Sequence, residues 1–177
     1  MTARTRWVAP TPLSIRELLQ LTESIAAEVS AGRHQVHVDP VERWHTRLRN
    51  GEYADVWLIS WPRHQAAELH DHGGSLGALT VVRGTLTEHR WLPGAARPRL
   101  VPRRLTVGAR AGFPLGYVHD VVNSDPEPAV SVHAYSPPLT AMSYYEIDEF
   151  DALRRVRTLL TDDPEPRPGN GLEAIPA

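Results

Sequence analysis

Two periods of apolar residues divide the chain. Near the N-terminus Ile15, Leu18, Leu19, Ile25 and Val29 recur at helical spacing behind Ser14-x-x-Glu17, a reciprocal capping pair, and Gly32 is a suitable stop. A helix with one apolar stripe serves to cover one face of a sheet. A second helix start is predicted at Asp39-Pro40-x-Glu42, with proline at the first helical position. Trp44 and Leu48 give that helix one apolar side, and Asn50-Gly51 ends it. From Tyr53 the period falls to two. Residues 56–61 read as a buried strand closed by Pro62, and 79–82 and 85–91 flank a hairpin-like break at Arg83-Gly84. Residues 100–107, 117–123, 129–135 and 142–147 read as further strands, 93–98 as a loop and 151–160 as a short helix. Short strands punctuated by proline and glycine predict an all-β barrel or sandwich with the N-terminal helices packed outside. Nothing divides it, so one domain is expected over residues 1–163, its helical region at about 12–49. The remainder, 164–177, carries Pro164, Pro166, Pro168 and Pro176 and reads as a tail, loose or ordered on contact.

Composition then removes several function classes. The 177 residues are 41% hydrophobic and 23% charged with a formal net charge of −2, so no basic excess points to nucleic acid and no charge block to a membrane surface. The tryptophans lack the basic interleaving of a base-stacking platform and read as core. Cysteine is absent, which excludes disulfides, thiolate ligands and a cysteine nucleophile. The first ten residues carry Arg4 and Arg6 with no apolar run behind them, and no stretch is apolar enough to span a bilayer; a cytoplasmic enzyme is expected.

Chemistry concentrates in the histidines. His70 and His72 sit at i and i+2, so an extended backbone points both the same way. Imidazole suits iron, zinc, nickel and copper. His119 lies in a second glycine-led, strand-like run and is the third candidate ligand. Three imidazoles leave coordination positions open, as in a catalytic site rather than a closed structural one. Residues 129–138 add a second cluster: on a strand Ser131, His133 and Tyr135 share one face, and Val130, Val132 and Ala134 the other. A polar face is either solvated or lines a polar cavity, because buried polar groups need partners. If the valines pack against the N-terminal helix, the polar face turns inward toward the metal.

These residues carry a resemblance. Gly108, Pro114, Gly116, His119 and Asn123 match the second sequence motif of the cupins at every position. His70, His72 and Gly84 match the first, with Gly77 where that motif usually places a glutamate ligand and His64 where it usually begins with glycine. Together with the Ser-x-His-x-Tyr-Ser-Pro-Pro run ending at Pro138, residues 44–138 resemble cysteine dioxygenase, a thiol dioxygenase of the cupin superfamily. The resemblance implies a ferrous ion, Fe(2+), on His70, His72 and His119. It also implies an outer chain of Ser131, His133 and Tyr135, and a reaction that places both atoms of O2 on the sulfur of L-cysteine to give a sulfinic acid. It implies an arginine for the substrate carboxylate, and Trp44-His45-Thr46-Arg47 makes Arg47 the candidate, with Arg43 and Arg49 as competitors. A guanidinium suits that task because its planar fork bonds a carboxylate bidentately. Animal members crosslink a cysteine to the tyrosine; Gly77 stands there in this chain, so Tyr135 is expected to work uncrosslinked. The related 3-mercaptopropionate dioxygenases carry glutamine at the arginine position, so Arg47 favours cysteine.

The ligand set also makes chemical sense alone. Three neutral imidazoles leave a ferrous ion its full double charge, which suits an anionic thiolate, and coordination deprotonates a thiol of ordinary pKa ~8.5. His34, His37, His64 and His89 read as surface positions, Glu88 lies one strand beyond the ligands, and Asp71 and Asp120 alternate away from the ligands beside them. Two other readings stand beside cysteine oxidation: a dioxygenase of 3-mercaptopropionate or another small thiol, and a metal-binding cupin that senses or isomerises without oxidising.

Overall fold

The computed structural model describes residues 12–93, 99–164 and 172–174. Helix α1 spans Ile15–Ser30. It is capped as its sequence predicts: Ser14 Oγ accepts from the Glu17 backbone N–H, and the Glu17 carboxylate accepts from the Ser14 N–H at 2.7 Å. Gly32 follows with φ +74°. The buried face of α1 holds Leu18, Thr22, Ile25, Ala26 and Val29.

Two sheets carry the rest. The first has five strands, β1 (Trp44–Asn50), β2 (Asp55–Trp61), β4 (Leu76–Arg83), β7 (Arg110–Phe113) and β9 (Ala129–Ser136), in the order β1-β2-β9-β4-β7. The second has seven: β3 (His70–Asp71), β5 (Leu86–Leu92), β6 (Arg99–Leu105), β8 (His119–Val122), β10 (Ala141–Ile147), β11 (Leu153–Leu160) and β12 (Leu172–Ala174). Their order is β12-β11-β10-β3-β8-β5-β6. All pairings between these strands are antiparallel, which gives an all-β architecture of two sheets.

The five-stranded sheet is covered on both faces. Trp57, Ile59, Trp61, Leu79, Phe113 and Tyr135 face the second sheet. Val56, Leu58, Ala78, Val130, Val132 and Ala134 pack against Leu18, Ile25 and Val29 of α1. That is why β2 and β9 are buried at every residue. Each large apolar side chain buried there stabilises the fold by roughly 1.5–3 kcal/mol. The β4–β5 turn needs Gly84: its φ is +72°, and a Cβ there would stand 2.8 Å from Ala129 Cα.

Two predicted helices are strands. Residues 44–50 form β1, hydrogen-bonded to β2, so the helical region predicted at about 12–49 reduces to α1. The capping signal at Asp39 is real, since its Oδ1 accepts from the N–H of Val41 and Glu42, but it closes only a turn. Trp44 and Leu48, four apart, share a face on a strand as well as on a helix, and the open edge of β2 decides between them. Residues 153–160 form β11, because the edge of β10 offers a complete ladder to a segment of weak local preference. Of the predicted tail, residues 172–174 extend that sheet as β12, while Pro166, Pro168 and Pro176 lie outside the described residues.

Candidate metal centre

β3 and β8 run antiparallel with His70 and His119 as direct register partners. Their rings lie 4.8 Å apart. His72, two residues on, brings its ring to 4.9 Å from His70 and 5.3 Å from His119. Among the described residues these three form a cluster in which one ring nitrogen of each lies within 4.8 Å of the others. His70 Nδ1 donates to the Glu68 carbonyl at 2.6 Å, which leaves the lone pair on Nε2, 3.2 Å from His72 Nε2. Two nitrogens each ~2.1 Å from one ion can be at most about 4.2 Å apart, so this spacing suits a shared cation. His119 Nδ1 donates to Glu88 Oε1 at 3.1 Å, and its Nε2 is buried with no hydrogen-bond partner. Such an atom is costly unless its lone pair is taken by an ion. The donor set therefore fits a metal.

Burial favours the neutral form of His70 and His72, the form that ligates. It pushes His70 down to about 3, with the charge of His119 adding, and His72 well below the usual range. His133 falls to about 3 for the same first reason, then through His119 and Arg43. The consequence for the metal-free protein has a definite sign. The unfolded chain takes protons on these histidines below 6.5, and folded His70 and His133 only near 3. Stability is thus fully present above that upper value and falls as pH drops, by up to ~1.4 kcal/mol per pH unit for each histidine. Urea melts of chelator-treated protein between about pH 7 and about pH 5 are expected to show a falling midpoint; a constant one would contradict the burial.

Behind His119 lies an anion. Glu88 is fully buried and accepts from His119 Nδ1 and the Tyr117 hydroxyl on Oε1, and from Arg103 on Oε2 at 2.8 Å. Burial alone would raise its carboxyl, but the His119 hydrogen bond and charge and the Arg103 guanidinium outweigh it and lower it. The same burial and carboxylate push the Tyr117 phenol up to about 12. Glu88 thus fixes the ring orientation and tautomer of His119 instead of occupying a ligand position. The signal for this support was an acidic residue at the inward-alternating position next after Leu86 on β5.

On β9 the polar face does turn inward. Trp61 Nε1–H donates to Ser131 Oγ at 2.9 Å, and Ser131 Oγ lies 2.9 Å from His133 Nε2. Indole is a donor only, and His133 Nε2 is the acceptor within reach of the buried serine hydroxyl; the arrangement that satisfies every group sends the serine proton to Nε2 and leaves the proton of neutral His133 on Nδ1. That proton points at the Tyr135 oxygen, 3.4 Å away. The chain runs one way, from Trp61 to Tyr135, and Tyr135 directs its phenol proton to a partner other than His133. Sequence reasoning found Ser131, His133 and Tyr135 and placed Trp61 only in the core. The Tyr135 ring sits 4.8 Å from His72, and Trp61, the three ligands, His133, Tyr135 and Pro164 line one pocket.

Gly77 explains how Tyr135 fits. A Cβ at Gly77 would stand 3.2 Å from Tyr135 Cε1 and 2.8 Å from Phe113 Cδ2, and Phe113 packs on His119 at 4.2 Å between centroids. The residue that replaces the usual glutamate thus makes room for the tyrosine.

The arginines divide. On β1, His45 and Arg47 pair with Ile59 and Trp57, so they face the inter-sheet space. Arg47 stacks on Trp57 at 4.4 Å and donates to Asp162. Arg43, just before the strand, lies 5.1 Å over Trp61, and its charge helps to lower His70 and His133. Arg49 turns to Glu28 on α1, 3.6 Å away. The other histidines and acids stay out of the cluster: His34 meets Glu28, His89 meets Asp120, and Asp71 accepts from Gly73 N–H and the Tyr145 hydroxyl.

Fold and site together define a cupin with a three-histidine metal centre. The family model for cysteine dioxygenase type I matches residues 6–148, and the chain belongs to that family, a metal-dependent cupin of the thiol dioxygenase type. Its fold is shared with the TT1209 protein of Thermus thermophilus (20% identity, TM-score 0.50, covering 58% of this chain and 90% of that one). A Klebsiella pneumoniae protein with a double-stranded β-helix domain matches at 20% identity and TM-score 0.49, over 77% of this chain and 90% of that one. The cupin domain of Schizosaccharomyces pombe Cnp3 matches at 10% identity and TM-score 0.47, over 56% of this chain and 63% of that one.

Proposed function

We propose that this protein is an iron(II) dioxygenase that converts L-cysteine and O2 to cysteine sulfinic acid. One observation carries the reading: a carboxylate-free set of three imidazoles faces Tyr135, which ends a buried, one-way hydrogen-bond chain from Trp61. A ferrous ion on His70, His72 and His119 would supply sites where thiolate and O2 are brought together. The reaction balances without a further reductant: the thiol sulfur gains two bonds to oxygen, the O–O bond breaks, and RSH plus O2 becomes RSO2H.

The remaining roles belong to side chains of this chain. His133 holds the Tyr135 oxygen and leaves the phenol to donate toward substrate in the pocket. Ser131 and Trp61 hold His133 in that tautomer. Arg47 takes the substrate carboxylate at the mouth, and Arg43 adds positive potential nearer the histidines. Phe113, packed on His72 and His119, excludes water from the ligands.

The test is oxygen uptake by anaerobically iron-loaded protein with L-cysteine, 3-mercaptopropionate and cysteamine. Uptake matched by sulfinic acid, fastest with L-cysteine, is the expected result. Faster turnover of 3-mercaptopropionate would move the substrate to that thiol, and no uptake with any of them would leave a metal-binding cupin without oxidase chemistry.

A further inference from the structure

Beside the metal pocket runs a short acidic segment that pairs with two basic groups of β1. Asp162 accepts from Arg47 Nη2 through both its carboxylate and its backbone carbonyl, each at 2.8 Å. The next residue, Asp163, places a carboxylate oxygen 3.0 Å from His45 Nε2. Pro164 follows, buried, and lines the same pocket as the three ligands. The segment is held in place: Thr161 N–H donates to the Thr140 carbonyl, and Thr161 Oγ1 accepts from the Asp163 N–H at 3.0 Å.

We propose that residues 161–164 form an internal strap in which Asp162 and Asp163 occupy Arg47 and His45 as a mimic of the substrate carboxylate, so that these two acids compete with carboxylate-bearing thiols and temper the selectivity for them. This rests on the thiol dioxygenase reading above. Arg47 is largely shielded, with 24% of its side chain exposed, whereas Asp162 is 74% exposed. The arginine is thus held against Trp57, while its present partner sits at the water boundary where it can be exchanged. A thiol carrying a carboxylate replaces what it displaces at Arg47. A thiol without one would leave the guanidinium to the strap. The strap therefore competes with the first kind of substrate and is indifferent to the second.

The experiment removes the charges and keeps the segment. Asp162→Asn/Asp163→Asn retains the backbone bonds of Thr161 and the Asp162 carbonyl contact. In the iron-loaded protein, KM for L-cysteine is expected to fall by about 2- to 5-fold, the range of an exposed ion pair, with kcat unchanged. KM for cysteamine is expected to stay constant. Adding Arg47→Ala to the double variant should cancel the gain. A KM for cysteine that is unchanged or higher, a matching fall for cysteamine, or a gain that survives without Arg47 would each overturn the proposal. Titration of metal-free protein with propionate separates this from catalysis: tighter binding by the double variant is expected, and equal binding would overturn the strap. If the wild-type protein oxidises no thiol, the dioxygenase reading fails while the propionate comparison still decides the strap.

Discussion

Replacing His119 with alanine is expected to remove most bound metal, iron in the proposed enzyme, and nearly all thiol oxidation while leaving the sheets folded. His119 is 1% exposed and its Nε2 is buried without a hydrogen-bond partner, so its lone pair is available for ligation. Loss of a hydrogen-bonded support behind a metal ligand typically costs ~10–100-fold in metal affinity, and loss of the ligand itself should exceed that. The substitution also removes a partner from Glu88, which keeps Arg103 and Tyr117. His89→Ala is the matched control: it lies on the neighbouring strand opposite Asp120 and should keep its iron. Iron content per chain, read beside a thermal melt, checks both. Full iron in folded His119→Ala protein would mean that another residue completes the site.

The second large effect is expected at Tyr135. Phenylalanine preserves the ring that packs on His72 and against Gly77, so iron content should not change. What goes is one oxygen at the end of the chain from Trp61 through Ser131 and His133. A preorganised donor aimed at developing charge contributes roughly 10- to 10³-fold in rate, so kcat should fall within that range. With no cysteine in the chain, intact-protein mass should show no thioether on Tyr135. An unchanged kcat in Tyr135→Phe would reduce the residue to a wall of the pocket.

Both predictions use residues that were readable before any fold was known, and for physical reasons. Strand alternation alone puts His70 beside His72, and puts Ser131, His133 and Tyr135 on one face opposite Val130, Val132 and Ala134. The capping pair Ser14 and Glu17 is equally local, and α1 begins where it says. Segment 44–50 reads as a helix because its spacing serves either period, and 153–160 because its local preference is weak. Their hydrogen-bond partners, β2 and β10, are set by the sheet and not by the segments.

What the sequence by itself determined is therefore the polarity of each face: which imidazoles can point together, which strand is apolar on one side and polar on the other, and that the chain supplies no thiolate ligand. What only the tertiary structure decided is what stands behind and across from those faces. Glu88 holds His119 from 31 residues away, Trp61 starts the chain to Tyr135 from a strand 70 residues distant from Ser131, and Asp162 meets Arg47 across 115 residues. No local period encodes such pairs, because each depends on sheet register and packing, where long-range geometry outweighs the preference of either residue alone.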